Sequence, residues 1–196
     1  MTPTDKEALK RNLRQKIEIS DSDYELFFSK TRTQTFKKKQ VILQKGEVCK
    51  YASFIIKGAG RGFLLNDKDE DKTILLGIED WWLVDFHSYI TGQPSRMTIE
   101  AMEDTSVFQM SFKDLESLFA QSQSIERFVR LMAMNAFVAS QSRLMDLMTN
   151  TTDNRYEIFI QKYPHFFQRF PQYIIASYLN VSPEHLSAVR ARLARK

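Results

Sequence analysis

Between Thr33 and Met110 the apolar residues come in short runs or alternate with polar ones. The runs are Gln34–Phe36, Val41–Leu43, Ser53–Ile56, Gly62–Leu65, Thr73–Ile78, Trp81–Phe86, Thr98–Met102 and Ser106–Met110. Turn-forming residues separate them: Lys45-Gly46, Lys57-Gly58, Asn66-Asp67, Glu79-Asp80, Gly92-Gln93-Pro94 and Glu103-Asp104. Closely spaced short strands with such punctuation predict a small antiparallel barrel or roll. Ahead of it, Thr4 and Glu7 have the spacing of a capping box for a helix over Ala8–Ile17. Ser20 or Asp21 caps a second helix through Phe28.

From Ser111 the period becomes helical. Ser111 reads as an N-cap with Asp114 in the first turn. A long helix over Ser124–Met148 follows, in which Leu131, Val138 and Met145 recur every seven residues. Phe137, Leu144 and Met148 form a neighbouring stripe. Ala133, Ala136, Ala139, Ser140 and Ser142 between them permit close helix approach. Apolar residues on more than one face need cover, either from a second copy in a coiled-coil-like pairing or from the same chain. Thr149–Thr152 is a polar break, and Arg155–Tyr163 reads as another helix closed by Pro164. The expected organisation is a roll with N-terminal helices over 1–112, connecting and dimerisation helices over 113–149, and a small helical domain over 150–196.

The most informative stretch runs from Pro171 to Arg190. Pro171 suits the first turn of a helix whose inner face carries Ile175, Ala176 and Leu179. Asn180 suits the left-handed residue that ends it, and Val181 fills the turn. Ser182 caps a second helix, Pro183 opens it, Glu184 complements its dipole, and Leu186 and Val189 point inward. This is a helix-turn-helix pattern. Its second helix presents Ser182, His185, Ser187, Ala188, Arg190 and Arg192 as DNA-binding candidates. Serine and histidine read base edges; the arginines, with Arg195 and Lys196, neutralise phosphates.

Charge supports that placement. Residues 151–196 carry 7 Lys+Arg against 3 Asp+Glu, which is the whole of the net charge of +4. A neutral body with a basic end suits an anionic partner. At 43% hydrophobic and 27% charged residues the chain is globular rather than disordered. Cys49 is the one cysteine, which excludes an intramolecular disulfide, a four-thiolate zinc site and an iron–sulfur cluster held within the chain. Neither a signal-peptide stretch nor a spanning run is expected, so the reading is a cytoplasmic protein with no membrane partner.

A roll, a long helix and a helix-turn-helix, in that order, resemble the Crp/Fnr family of bacterial transcription regulators. The resemblance covers nearly the whole chain. It is carried by Ile55-Ile56-Lys57-Gly58 followed by Arg61, by Trp81-Trp82-Leu83-Val84-Asp85, and by Gly92-Gln93-Pro94-Ser95-Arg96. Ile99-Glu100-Ala101, Arg155-Tyr156 through Tyr163-Pro164, and Ile175-Ala176-Ser177-Tyr178-Leu179 complete it. The resemblance implies an α+β fold: an antiparallel cyclic-nucleotide-binding-like jelly roll, a dimerisation helix, and a winged helix-turn-helix reading a pseudo-palindromic operator in double-stranded DNA as a homodimer.

Three departures qualify it. The family's cyclic-AMP binders place a Gly-Glu pair on the ribose and an Arg-Ser pair on the phosphate; here those pairs fall near Val84-Asp85 and Ser95-Arg96. The candidate pocket residues are therefore Trp82, Asp85, Ser95, Arg96 and Met97, with Ser95 inward and Arg96 turned to solvent by the one-residue shift. Cyclic AMP is expected not to bind, and the roll takes another small effector or none. Ala188 replaces the arginine that often follows the recognition serine, and the chain's end at Lys196 leaves no room for a wing. The alternative reading is a ligand-binding or protein-interaction module whose shortened C-terminal part no longer binds DNA. No nucleophile–base pair, Walker loop or dinucleotide fingerprint is present, so no enzyme is expected. Asn66–Asp71 lacks the calcium-loop glycine and glutamate and reads as a hairpin tip. Lys37–Lys39 reads as a charged strand end, and His87 has no metal-ligand spacing to His165 or His185.

Overall fold

The computed structural model describes residues 3–193. Two helices, α1 (Pro3–Arg14) and α2 (Asp21–Ser29), precede the strands β1 (Arg32–Phe36), β2 (Val41–Leu43), β3 (Tyr51–Lys57), β4 (Gly60–Leu65), β5 (Asp71–Gly77) and β6 (Trp82–Leu83). A short helix α3 (Phe86–Thr91) separates these from β7 (Thr98–Ala101) and β8 (Thr105–Ser111). The helices α4 (Phe112–Phe119), α5 (Gln123–Thr149), α6 (Thr152–Lys162), α7 (Phe166–Arg169), α8 (Gln172–Tyr178) and α9 (Pro183–Leu193) follow. Contacts divide the chain into two compact units: residues up to Phe63 with Leu75–Met134, and Leu64–Ile74 with the residues from Asn135 onward.

The strands form two four-stranded sheets, ordered β1-β8-β3-β6 and β2-β7-β4-β5. This is the antiparallel roll that the alternation predicts. Phe54 lies opposite Phe108 in the β3–β8 register. Phe28 of α2 meets Phe108 edge-on at 5.3 Å, and Phe27 meets Phe128 of α5 at 6.2 Å. The helices thus cover the aromatic face of the first sheet, and each such ring pair adds about 0.5–1.5 kcal/mol beyond its buried area. Lys57-Gly58 turns with Gly58 at φ 106°, and a Cβ there would lie 2.5 Å from Thr105 Oγ1, so only glycine fits.

The caps at Ser20 and Ser111 are present: each hydroxyl accepts a backbone N–H three residues on, from Asp23 and Asp114. Three local expectations are corrected. First, α1 begins at Pro3, so Thr4 lies inside the helix instead of preceding it. Second, the run Trp81–Phe86 is a strand only at Trp82–Leu83. The Asp85 carboxylate accepts the Ser88 N–H and starts α3, which Gly92 closes in the left-handed conformation; this cap outweighs the strand tendency of the apolar residues. Third, Pro171 stands before α8 as its cap residue, at ψ 147°, and Gln172 is the first helical residue.

In the second unit, Phe159 of α6 is the hub. Tyr163, Phe166, Phe167 and Tyr178 place their rings 5.4–5.9 Å from it. The turn after α8 is a Schellman closure: Val181 N–H donates to Ala176 O and Asn180 N–H to Ser177 O, with Asn180 at φ 55°. Ile175, Ala176, Leu179, Leu186 and Val189 are all buried, as their spacing predicts. Residues 71–74 of β5 bond to the same unit. Ser177 Oγ accepts the Thr73 N–H and donates to Asp71 O, both at 2.8 Å. Arg143 of α5 donates to Thr73 O at 3.1 Å and to Tyr178 O at 2.7 Å.

Candidate functional site

The outer surface of α9 follows from its buried one. Because Leu186 and Val189 point inward, His185, Ser187, Ala188, Arg190 and Arg192 are left exposed, and Ser182 lies exposed just before the helix. Ser182 Oγ accepts the His185 N–H and so caps the helix start. Glu184 is held below its usual pKa by its own backbone N–H and by the Ser182 hydroxyl. Arg190 is not a free cation: Nη1 donates to Gln172 Oε1 at 2.7 Å, and its guanidinium lies 4.9 Å from the centre of the Phe167 ring. Arg192 is paired with Asp153 of α6. Gln172 also donates to Ser187 Oγ. Sequence reasoning missed Gln172, because nothing in its own neighbourhood marks it. Arg195 and Lys196 lie outside the described residues.

On α5, Leu131 is half-buried against the core of its unit. Beyond it the helix exposes the apolar residues Met134, Phe137, Val138, Leu144, Met145 and Met148 on one face, interrupted by Gln141, with Phe137 at 67% and Met148 at 78% of full exposure.

In the roll, Asp85 and Ser95 are brought together. Both are buried, and Ser95 Oγ donates to Asp85 Oδ2 at 2.7 Å while accepting the Met97 N–H at 3.1 Å. Asp85 Oδ1 is occupied by the Ser88 N–H. Ser88 Oγ in turn donates to Gln93 O at 2.6 Å and accepts the Cys49 N–H at 2.8 Å. Arg96 is exposed. Met97 and Leu75 crowd the space over Gly62, where a Cβ would sit 3.2 Å from the sulfur and 3.1 Å from Leu75 Cβ. Trp82 packs on Phe54, its direct neighbour across the sheet, at 5.3 Å between ring centres. Burial pushes up the pKa of the Cys49 thiol and that of the Tyr89 hydroxyl, which donates to Met110 O. A thiol so held is a packing group rather than a nucleophile.

Residues 33–122 match the family model of the cyclic nucleotide-binding domain. The matched stretch spans the strands of the roll and α4. Across a longer span the chain has the fold of Crp/Fnr-type regulators. FixK2 from Bradyrhizobium japonicum superposes with a TM-score of 0.74 at 17% identity, over 84% of this chain and 85% of that one. The catabolite activator protein of Thermus thermophilus gives 0.60 at 16%, over 94% and 87%. The c-di-GMP-responsive global regulator CLP of Xanthomonas campestris gives 0.68 at 13%, over 90% and 92%. No curated protein sequence matches the chain. Among the described residues no helix is long and apolar enough to cross a membrane, and no cluster of three metal-ligating side chains occurs.

Within the matched stretch the charged group beside Ser95 is the Asp85 carboxylate, whose oxygens are engaged by Ser95 and by the start of α3. These bonds do structural work. Asp85→Ala removes a helix cap, worth about 1 kcal/mol, and a charged hydrogen bond, worth about 1.5–3 kcal/mol. With a urea dependence of about 2 kcal/mol/M, its unfolding midpoint is expected to fall by at least about 1 M, read by circular dichroism.

Proposed function

We propose that the protein is a homodimeric DNA-binding transcription regulator whose roll does not take cyclic AMP. The observation that carries this reading is the surface of α9. Two buried residues, Leu186 and Val189, turn His185, Ser187 and Arg190 outward together, on the fold of Crp/Fnr-type regulators. Hydroxyl, imidazole and guanidinium groups on one exposed helix face are the groups that bind base edges and phosphates. The stripe on α5 supports a second copy as partner, and two such helices in a two-fold dimer would read half-sites about one helical turn apart. The residues at Asp85, Ser95 and Arg96 support a roll that either holds a different small effector or is filled by its own side chains.

The test is binding to a fluorescent genomic DNA pool over a range of salt. Affinity is expected to fall log-linearly with salt, and Arg190→Ala to flatten the slope by about one. Calorimetry with cyclic AMP and cyclic GMP at micromolar protein is expected to show no saturable heat. A saturable isotherm lost in Arg96→Ala would restore the nucleotide-responsive reading. Absence of salt-dependent DNA binding would leave a protein-interaction module, with the α5 stripe as its contact surface.

A further inference from the structure

Gln172 is the first helical residue of α8, yet its side chain reaches three positions on one face of α9. Its Nε2 lies 2.5 Å from Ser187 Oγ and 3.4 Å from Pro183 O, and its Oε1 lies 2.7 Å from Arg190 Nη1. Both ends of the amide are determined by chemistry. Arginine has only donors, so the atom facing Arg190 is the amide oxygen. The Pro183 carbonyl can only accept, so the atom facing it, and facing Ser187, is the amide nitrogen. Ser187 Oγ therefore accepts from Gln172, which occupies one of its two lone pairs and polarises its own O–H, so the hydroxyl is a better donor than acceptor toward a further partner.

We propose that Gln172 is a positioning residue that sets Ser187 as a hydrogen-bond donor on the surface of α9, and thereby selects the base a bound duplex must present there. The proposal rests on the DNA-binding reading above. In the major groove guanine and thymine offer only acceptors at their hydrogen-bonding edge, whereas cytosine offers only its amino donor. A serine biased toward donation prefers guanine or thymine over cytosine. Arg190, held by the same amide and laid against Phe167, keeps its remaining N–H groups for a phosphate. One side chain thus couples the base-reading and backbone-binding groups of the helix.

Gln172→Glu inverts the polarity. A carboxylate accepts from Arg190 as before but cannot donate, so the Ser187 O–H must turn toward it and the hydroxyl presents only lone pairs outward. Gln172→Ala leaves the hydroxyl free to turn either way. The experiment is selection from a randomised duplex pool with the full-length wild type and both variants. Binding to the selected sites is then measured across salt, and circular dichroism verifies that each variant is folded.

The wild type is expected to select guanine or thymine at one position in each half-site. Gln172→Glu is expected to switch that position to cytosine, and Gln172→Ala to lose about tenfold discrimination there, in line with one hydrogen bond, with the other positions kept. Uniform weakening by both variants with an unchanged base pattern would overturn the proposal and leave Gln172 a structural residue. A wild type that binds without salt dependence, or not at all, would instead overturn the DNA-binding reading itself.

Discussion

Val138→Glu is expected to convert the proposed dimer to a monomer. Val138 is 57% exposed in the single chain, so a glutamate there does not disturb the fold of one copy. In a dimer built on α5 the same position, with Phe137, Leu144 and Met145 around it, would be closed off from water. An uncompensated carboxylate buried in such a seam costs about 3–5 kcal/mol, and the two-fold axis places one on each copy. Since each 1.4 kcal/mol is about a tenfold change, the dissociation constant should rise by more than about a hundredfold. Sedimentation at micromolar concentration should show a dimer for the unmodified protein and a monomer for the variant. A monomeric unmodified protein would remove the dimer from the proposed function. With paired half-sites lost, the variant should also lose most of its operator affinity.

Arg143→Ala should loosen the second unit to a comparable degree. The guanidinium donates to Thr73 O, Ile74 O and Tyr178 O and lies 4.1 Å from the Tyr178 ring centre. Its pKa is lowered by burial and partly restored by Tyr178 and Tyr163, the signature of a cation taken out of water. Tyr178 is the last residue of α8, where a positive charge favours the helix dipole. Truncation strips carbonyls of their donor at about 1–3 kcal/mol each and removes a cation–ring contact worth about 0.5–2 kcal/mol. The opening free energy of α8 should fall by about 3 kcal/mol, taking the larger bonds as dominant. Hydrogen exchange should register this as a more than hundredfold faster exchange of the Ile175 and Leu179 amides, whose N–H groups bond Pro171 O and Ile175 O. An unchanged exchange rate would mean that Phe159 and its surrounding rings hold the unit without Arg143.

Much of the architecture was legible because it is local. Alternation placed the roll's eight strand regions, and the seven-residue recurrence of Leu131, Val138 and Met145 placed α5. Ser111, Ser182 and Asn180 marked helix ends because a cap or a left-handed residue acts within three or four positions. Ser95 is buried and Arg96 exposed as expected, but for another reason: both lie in the loop before β7, where strand alternation does not act, and the hydrogen bond to Asp85 holds Ser95 inward. Trp81–Phe86 misled: five apolar residues suit a strand, and only the Asp85 side chain reaching Ser88 N turns the segment into a helix.

The polar connections were not legible, because their partners are far apart in the chain. Ser177 and Asp71 stand 106 residues apart, and Arg143 and Thr73 stand 70 apart. Gln172 meets Ser187 and Arg190 only because the Schellman turn sets α8 and α9 at one angle. The sequence by itself determined which segments are strands and helices, which faces of them are apolar, and that the basic residues gather at the C-terminal end. Those properties depend on backbone periods and on interactions within a turn or two. The tertiary structure alone decided that Asp85 caps a helix and holds Ser95, and that Gln172 meets both Ser187 and Arg190. A hydrogen bond requires its two groups within about 3 Å and correctly aimed, a condition set by the packing of whole elements.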